Sequence, residues 1–347
     1  MLKYSIKRIL LAFVTAFIIL TLTFFLIKAL PASVPASTVP SSTYAYCLEQ
    51  VEEGYFVDMP EVHEELGRLL FEWHEHGADH YFYVKPSFDQ YIAWVKNIFT
   101  KWEWGRSTSI EPNSNAIHII FERLPVSFSV NIISVVLSVP LGILFGIIAG
   151  LKKNTWIDHT ISTLVMVFIS IPSFVIIVFL IYWFAFKGNL PTMWPTQDAA
   201  LGRRVAAYII PVMALSFGSI CGYTRFVRAE LCEVMSSEYL LLARTKGLTK
   251  NQAITRHALR NAFVPILPSI LAEFIGVFSG SMVLESLYNI PGIGNLYIKS
   301  LTANPRDLNV LLVDMAVFTI VGLLAGIVLD LSYGFIDPRI RMGEKNS

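Results

Sequence analysis

The chain has 347 residues, of which 54% are hydrophobic and 15% charged, against about 45–50% and about 25% in an average soluble domain. That balance excludes an ordinary water-soluble fold. Lys and Arg number 27 against 26 Asp and Glu, so no basic excess marks a nucleic-acid surface, and Cys47, Cys221 and Cys232 form neither a disulfide framework nor a Cys-x-x-Cys site.

The first element is an uncharged run of 19 residues, Ile9 to Ile27, after Lys3, Lys7 and Arg8. About 20 apolar residues cross a bilayer core, and a cleaved signal peptide has a shorter apolar region and a small-x-small site. The run predicts a retained spanning helix. Segment 32–121 follows, with 13 Asp/Glu against 5 Lys/Arg. Pro31 to Ser42 reads as a Pro/Ser/Ala-rich linker, whereas Trp73, Trp94, Trp102 and Trp104 with Tyr81, Phe82 and Tyr83 offer enough apolar area for a small core. His74, His76 and His80, beside Asp79, are the one cluster with metal-like spacing, a weak zinc or nickel candidate. Gly77 stands where an H-E-x-x-H protease carries its Glu, so solvated histidines are the simpler reading.

Uncharged runs recur at Leu124 to Leu151, Thr160 to Phe186 and Val205 to Thr224; Ala262 to Leu284 and Leu308 to Gly334 are similar but contain acids. The predicted fold is an all-α polytopic membrane protein with six transmembrane helices and a small extracytoplasmic domain between the first two. Pro125, Pro140, Pro172 and Pro211 predict kinks. Segments 1–8, 152–159, 225–260 and 335–347 carry 15 Lys/Arg in 65 residues, against 5 in 41 for 187–204 and 285–307. The positive-inside rule then places both termini in the cytoplasm. The division is 1–30 (cytoplasmic end and first helix), 31–122 (extracytoplasmic insertion), 123–336 (transmembrane core, with a cytoplasmic coupling region at 229–261) and 337–347 (cytoplasmic tail).

Within Arg225 to Arg260 the pattern is helical. Glu238 to Lys246 is mostly good helix formers with basic residues in the last turn, and Gly247 ends it as a left-handed cap. Thr249-Lys-Asn-Gln252 has capping-box spacing and opens a second helix towards Asn261. Two helices on a Gly turn make a rigid knob, with Leu240, Leu241 and Leu248 available to a partner and Arg244 and Lys246 at the rim. An amphipathic hairpin resting on lipid headgroups fits the same signals.

Glu238-Tyr-Leu-Leu-Leu-Ala-Arg-Thr-Lys-Gly-Leu248, followed by Arg256-His-Ala-Leu-Arg-Asn-Ala262, resembles the cytoplasmic signature of ABC importer permeases, and most of all their dipeptide/oligopeptide/nickel branch. Of the wider E-A-A-x-x-x-G pattern the chain keeps Ala243 and Gly247 but has Leu241 and Leu242 where the Glu and first Ala would stand. Arg123-Leu-Pro125, Ser170-Ile-Pro-Ser173, Glu285 with Pro291-Gly-Ile-Gly294, and Asp337-Pro-Arg-Ile-Arg341 extend the resemblance.

The resemblance implies a type I importer permease pairing with a second, homologous permease, two cytoplasmic ATP-binding subunits and an extracytoplasmic substrate-binding protein, all within membrane lipid. Residues Leu240, Leu241, Leu242, Ala243, Arg244, Lys246, Gly247 and Leu248 would couple to the ATPases, and Glu285, Pro291, Gly292 and Gly294 would line the outer mouth. ATP and Mg belong to the partner ATPases and no cofactor to this chain, which lacks a G-x-x-x-x-G-K-[ST] phosphate loop. Ser170, Ser173, Glu273, Ser279 and Ser281 are candidates for a translocation path. Glu273 sits in a predicted span, where a carboxyl faces a cavity or bonds another helix. The expected cargo is a peptide, with nickel or another small solute as the alternative. Two rival classes are a proton-coupled transporter using Glu273, Asp314 or Asp330 and a membrane enzyme acting through the insertion.

Overall fold

The computed structural model describes residues 2–31, 34–35, 40–66, 69–75 and 78–336. In chain order the elements are α1 (Leu2–Lys28), α2 (Pro40–Glu52), β1 (Phe56–Met59), β2 (Leu69–Glu75), β3 (Ala78–Val84), α3 (Ser87–Lys101), α4 (Ala116–Leu151), α5 (Trp156–Ile169), α6 (Ser173–Leu180), α7 (Leu201–Ala206), α8 (Ile209–Met235), α9 (Glu238–Thr245), α10 (Lys250–Ala253), α11 (Leu259–Phe263), α12 (Leu267–Gly276), α13 (Met282–Leu287), α14 (Ile293–Thr302) and α15 (Leu308–Ile336). Among the described residues four stretches are long and apolar enough to cross a membrane: Ile6–Lys28, Ala116–Leu151, Leu201–Met235 (α7 with α8) and Leu308–Ser332.

The other two predicted spans are bent. Trp156–Ile169 and Ser173–Phe186 meet at 97°, with π-helical turns closing the second arm at Ile181–Phe186. Pro172, which has no N–H and disfavours a helical residue before it, accounts for that break. Lys250–Phe263 and Leu267–Gly276 meet at 50° around Pro265. A single run from Ala262 to Leu284 is therefore wrong: it breaks again at Gly280, whose φ of 64° with ψ of 172° is essentially a glycine conformation. Helix α4 starts at Ala116, eight residues before the predicted Leu124, and continues through Pro125 and Pro140.

The chain separates into two compact units, Met1–Ile9 with Val126–Pro291 and Leu324–Ser347, and Leu10–Pro125 with Gly292–Leu323. In the second, the antiparallel sheet has the order β1-β3-β2. Helix α2 begins at Pro40, inside the stretch read as a linker. Tyr46, Phe82, Trp94 and Trp104 share one buried cluster with Phe24 and Ile27 of α1, Ile293 and Leu296 of α14, and Leu311 of α15. Trp102, expected in that core, is 62% exposed. Asp307 ties the end of the insertion to α15: its Oδ2 accepts from Ser107 Oγ (2.5 Å) and from the N–H groups of Thr108, Ser109 and Ile110 (3.0, 3.0 and 3.1 Å). Its Oδ1 accepts from Val310 N–H at 3.3 Å, capping the helix.

Arg106 bridges Glu49 (2.8 Å) and Glu53 (3.2 Å). Burial pushes the carboxyls of Glu53 and Glu103 up; the Glu103 charge adds to the rise at Glu53, and Arg106 opposes it at both. Both groups hold protons more readily folded than unfolded. Their contribution to stability is complete below the ordinary value of 4.5 and is lost as pH rises from there through the raised values. Glu103→Gln is expected to flatten that dependence, read as thermal unfolding followed by tryptophan fluorescence across mildly acidic to neutral pH.

In the other unit α4 and α8 approach closely along a stripe of small residues. A Cβ on Gly142 would lie 2.6 Å from Tyr223 Cβ, one on Gly146 2.6 Å from Val227 Cβ, and one on Gly150 3.0 Å from Leu231 Cδ2. The four-residue spacing keeps the three glycines on one helix face, the small-xxx-small pattern of membrane helix pairs. Thr224 Oγ1 donates to Gly142 O at 3.2 Å, and the Ser134 and Ser216 hydroxyls bond at 3.0 Å. Gly146→Leu is expected to force the helices apart and destabilise the unit by about 1–3 kcal/mol, measured as a lower unfolding temperature in detergent, whereas Gly218→Leu on the open side of α8, where nothing lies within 4 Å, is expected to be far milder.

Candidate functional site

The knob is built from the end of α8. Ser237 takes extended backbone angles as the N-cap of α9, and its hydroxyl donates to Val234 O at 2.5 Å. At the other end Gly247 N–H bonds Arg244 O (3.0 Å) and Leu248 N–H bonds Ala243 O (3.4 Å), the paired bonds of a Schellman cap. Gly247 sits at φ 93°, as its capping role demands. The capping box is complete: Thr249 Oγ1 accepts from Gln252 N–H at 3.3 Å, and Gln252 Oε1 accepts from Thr249 N–H at 3.1 Å. From Lys250 the chain stays helical to Phe263, passing through a π-helical stretch at Ile254–Ala258.

Leu240 is not available to a partner. It is buried with Leu231, Ala253, Ala258 and Ala262, and Leu248 is partly buried against the same cluster. The apolar residues the knob presents are Leu241 and Leu242, with Tyr239, while Arg244 and Lys246 are exposed and Ala243 is half-buried. A groove of about 220 Å³ runs beside them, lined in part by Met235, Leu240, Leu241, Arg244, Lys250 and Ile254. The inward face of α9 thus fixes the knob to α8, and its outward face is free.

Among the path candidates, Ser170 and Ser173 are exposed on either side of the 97° bend, with Ser170 Oγ donating to Met166 O at 2.8 Å. Glu273 is half-buried on α12, and its Oε1 accepts from Ser219 Oγ of α8. That bond supplies the interhelical partner a carboxyl needs in a membrane. The side chain of Ser279 lies outside the described residues. Ser281 stands at the N-cap position of α13, and its N–H donates to Oε1 of Glu285 at 3.2 Å; Glu285 is 2% exposed. Tyr288 closes this end: its hydroxyl donates to Pro191 O at 2.7 Å and its carbonyl accepts from Trp194 N–H at 2.9 Å. Pro291 ends one unit; Gly292 and Gly294, both buried, open the other at the start of α14.

His74 and His80 lie on the paired strands β2 and β3 instead of on a helix. His74 Nδ1 contacts Asp79 Oδ1 at 2.7 Å, and His80 contacts Asp58 Oδ2 (2.6 Å) and Tyr44 Oη (3.3 Å). His76 and Gly77 lie outside the described residues, as does Asp337-Pro-Arg-Ile-Arg341. Among the described residues no three His, Cys, Asp or Glu side chains form a metal site. The residue patterns missed in the sequence are the Gly142/Gly146/Gly150 stripe, whose spacing was visible, and the Asp158–Arg228 and Asp307 networks, whose partners are distant in the chain.

Long apolar helices, two bent spans and a capped polar knob define a multi-pass helical membrane subunit. Residues 142–342 match the family described as binding-protein-dependent transport system inner membrane component, and the chain belongs to it. The dipeptide transport system permease protein DppB of Lactococcus lactis subsp. cremoris is 33% identical over 99% of this chain and 100% of its own length. The oligopeptide transport system permease protein OppB of Escherichia coli K12 is 30% identical over 98% and 100%. A solved amino acid ABC transporter with histidines aligns with a TM-score of 0.48 at 19% identity, covering 62% of this chain and 92% of that one. The chain is a permease subunit of an ABC importer, a multi-pass component of the inner membrane. Such a permease works with ATPase and substrate-binding partners, and its relatives are transport subunits, not enzymes.

Proposed function

We propose that the chain forms half of a heterodimeric pore that imports oligopeptides or dipeptides, and that the knob of α9 and α10 couples it to two cytoplasmic ATPases. Full-length similarity to two named peptide permeases supports the cargo. The coupling role rests on one observation: α9 is closed by the Schellman cap at Gly247 and anchored through Leu240, while Leu241, Leu242 and Arg244 stay exposed. A rigid element with a free apolar and basic face is suited to sit in a cleft of an ATPase and pass its motion to α8. ATP and Mg are bound by those partners. Both termini lie in the cytoplasm, and 31–122 lies outside, where it and the 285–294 segment meet the substrate-binding protein. Glu273, Ser281 and the serines at the 97° bend line the path.

Gly247→Val tests the assignment. No atom lies within 4 Å of a Cβ at Gly247, so a side chain starts into open space there and the change acts through the left-handed backbone, at a cost of about 1–3 kcal/mol. In the reconstituted complex, peptide uptake is expected to lose most of its rate while ATP hydrolysis continues and the subunit still inserts. Unimpaired uptake by the variant would sink the coupling role.

A further inference from the structure

On α3, Phe88, Ile92, Val95 and Phe99 recur at intervals of four, three and four, which places them on one helix face, with Val95 partly buried; Trp102 follows the last turn as its left-handed cap. Phe88, Ile92, Phe99 and Trp102 are exposed, Phe99 at 85%. The opposite face, Gln90, Trp94 and Asn97, is buried in the insertion. Asp89, Lys96 and Thr100 form a separate exposed flank. The helix thus has a packed face, a bare apolar face and a polar flank, and the bare face is far more apolar than a water-exposed surface requires.

What covers that face is indicated by α1. Tyr91 Oη of α3 bonds Thr21 Oγ1 of α1 at 2.7 Å, and the Tyr91 ring lies 5.3 Å from that of Phe25. Thr21 stands inside the spanning stretch Ile6–Lys28, about 10 Å before its Lys28 end at 1.5 Å per residue. The middle of α3 is therefore held at hydrocarbon depth. Beside this contact, Leu22 and Leu26 of α1 are exposed as well. We infer that α3 is an interfacial helix: Phe88, Ile92, Phe99 and Trp102 embed in the lipid leaflet at the Lys28 end of α1, with Asp89 and Lys96 in the headgroup layer. Trp102, at the C-terminal end of the helix, is the side chain favoured at such a boundary, and a helix of this kind lies in the plane of the membrane without crossing it. The inference rests on the span of α1 and not on the peptide cargo or the coupling role.

The test uses the wild-type chain in phosphatidylcholine vesicles containing a phospholipid with a carbene-generating diazirine high on its acyl chain. Photolysis is expected to label Phe99 and Trp102 at yields comparable to Leu22 and Leu26, and several-fold above Asp89. Labelling of α1 without α3 overturns the proposal. A second measurement places an environment-sensitive fluorophore at Phe99→Cys or Asp89→Cys in a chain whose Cys47, Cys221 and Cys232 are replaced by alanine. Brominated lipid is expected to quench the probe at 99 and aqueous iodide the probe at 89. Iodide quenching at 99 that disappears only when the second permease or the binding protein is added assigns the face to a protein partner and overturns the lipid assignment.

Discussion

Arg228→Met is expected to destabilise the unit containing α5 and α8 by about 1–3 kcal/mol, the range for leaving a buried polar group without its partner, since Arg228 itself is 32% exposed. Asp158, on the first turn of α5, is 1% exposed, and Arg228 of α8 grips it through two parallel bonds, Nε to Oδ1 at 2.5 Å and an Nη to Oδ2 at 2.8 Å. Asn154 N–H (2.9 Å) and Ser162 Oγ (3.2 Å) complete the site. Methionine fills similar volume but leaves a carboxylate with two neutral donors and no counter-charge. The loss comes from the stranded acid, so Asp158→Leu with Arg228→Met is expected to recover most of it, since an apolar pair can match a buried ion pair. A cycle of the two single variants and the double, read by unfolding temperature in one detergent, separates the pair from the bulk of α8. Equal and additive losses in the singles would show that the fork contributes nothing of its own.

That fork was not legible in the sequence, whereas much of the fold was. Apolar runs of bilayer length located the four long helices and the bent pair around Pro172, because insertion is decided segment by segment. The caps at Gly247 and Thr249 were legible because each is a bond between residues a few positions apart. Long-range pairings have no such local mark. Asp158 and Arg228 are 70 residues apart, and Asp307 and Ser107 are 200 apart. Leu240 read as exposed because the side of a short helix that turns inward depends on what lies beneath it, here Leu231 of α8. The break at Pro172 follows from its missing N–H, but the size of the bend, 97°, is set by packing. Trp102 misled for a related reason: aromatic composition marks a side chain that leaves water, and a membrane surface takes it as readily as a core does.

Asp307→Ala is expected to be the most damaging single change in the other unit. Among the described residues, one carboxylate oxygen accepts from a hydroxyl and three consecutive backbone N–H groups, and the other caps α15. Backbone donors converging on an anion make a nest, and Asp307 is fully buried within it. Alanine leaves several buried donors without an acceptor, each costing about 1–3 kcal/mol unless water enters. It also removes the N-cap, for about 1 kcal/mol more. A combined loss of about 3–5 kcal/mol is expected, because partial hydration and relaxation of 107–110 recover some of the sum. Asp307→Asn separates charge from shape: its oxygen still serves part of the nest, but its amide presents N–H to the donor on the other side, so an intermediate loss is expected. The measurement is unfolding temperature in detergent together with protease resistance of 31–122 in vesicles, and the chain between Ile110 and Ala116 is expected to become cleavable in the alanine variant. Wild-type resistance and melting in that variant would mean that the insertion is held to α15 by its apolar cluster alone.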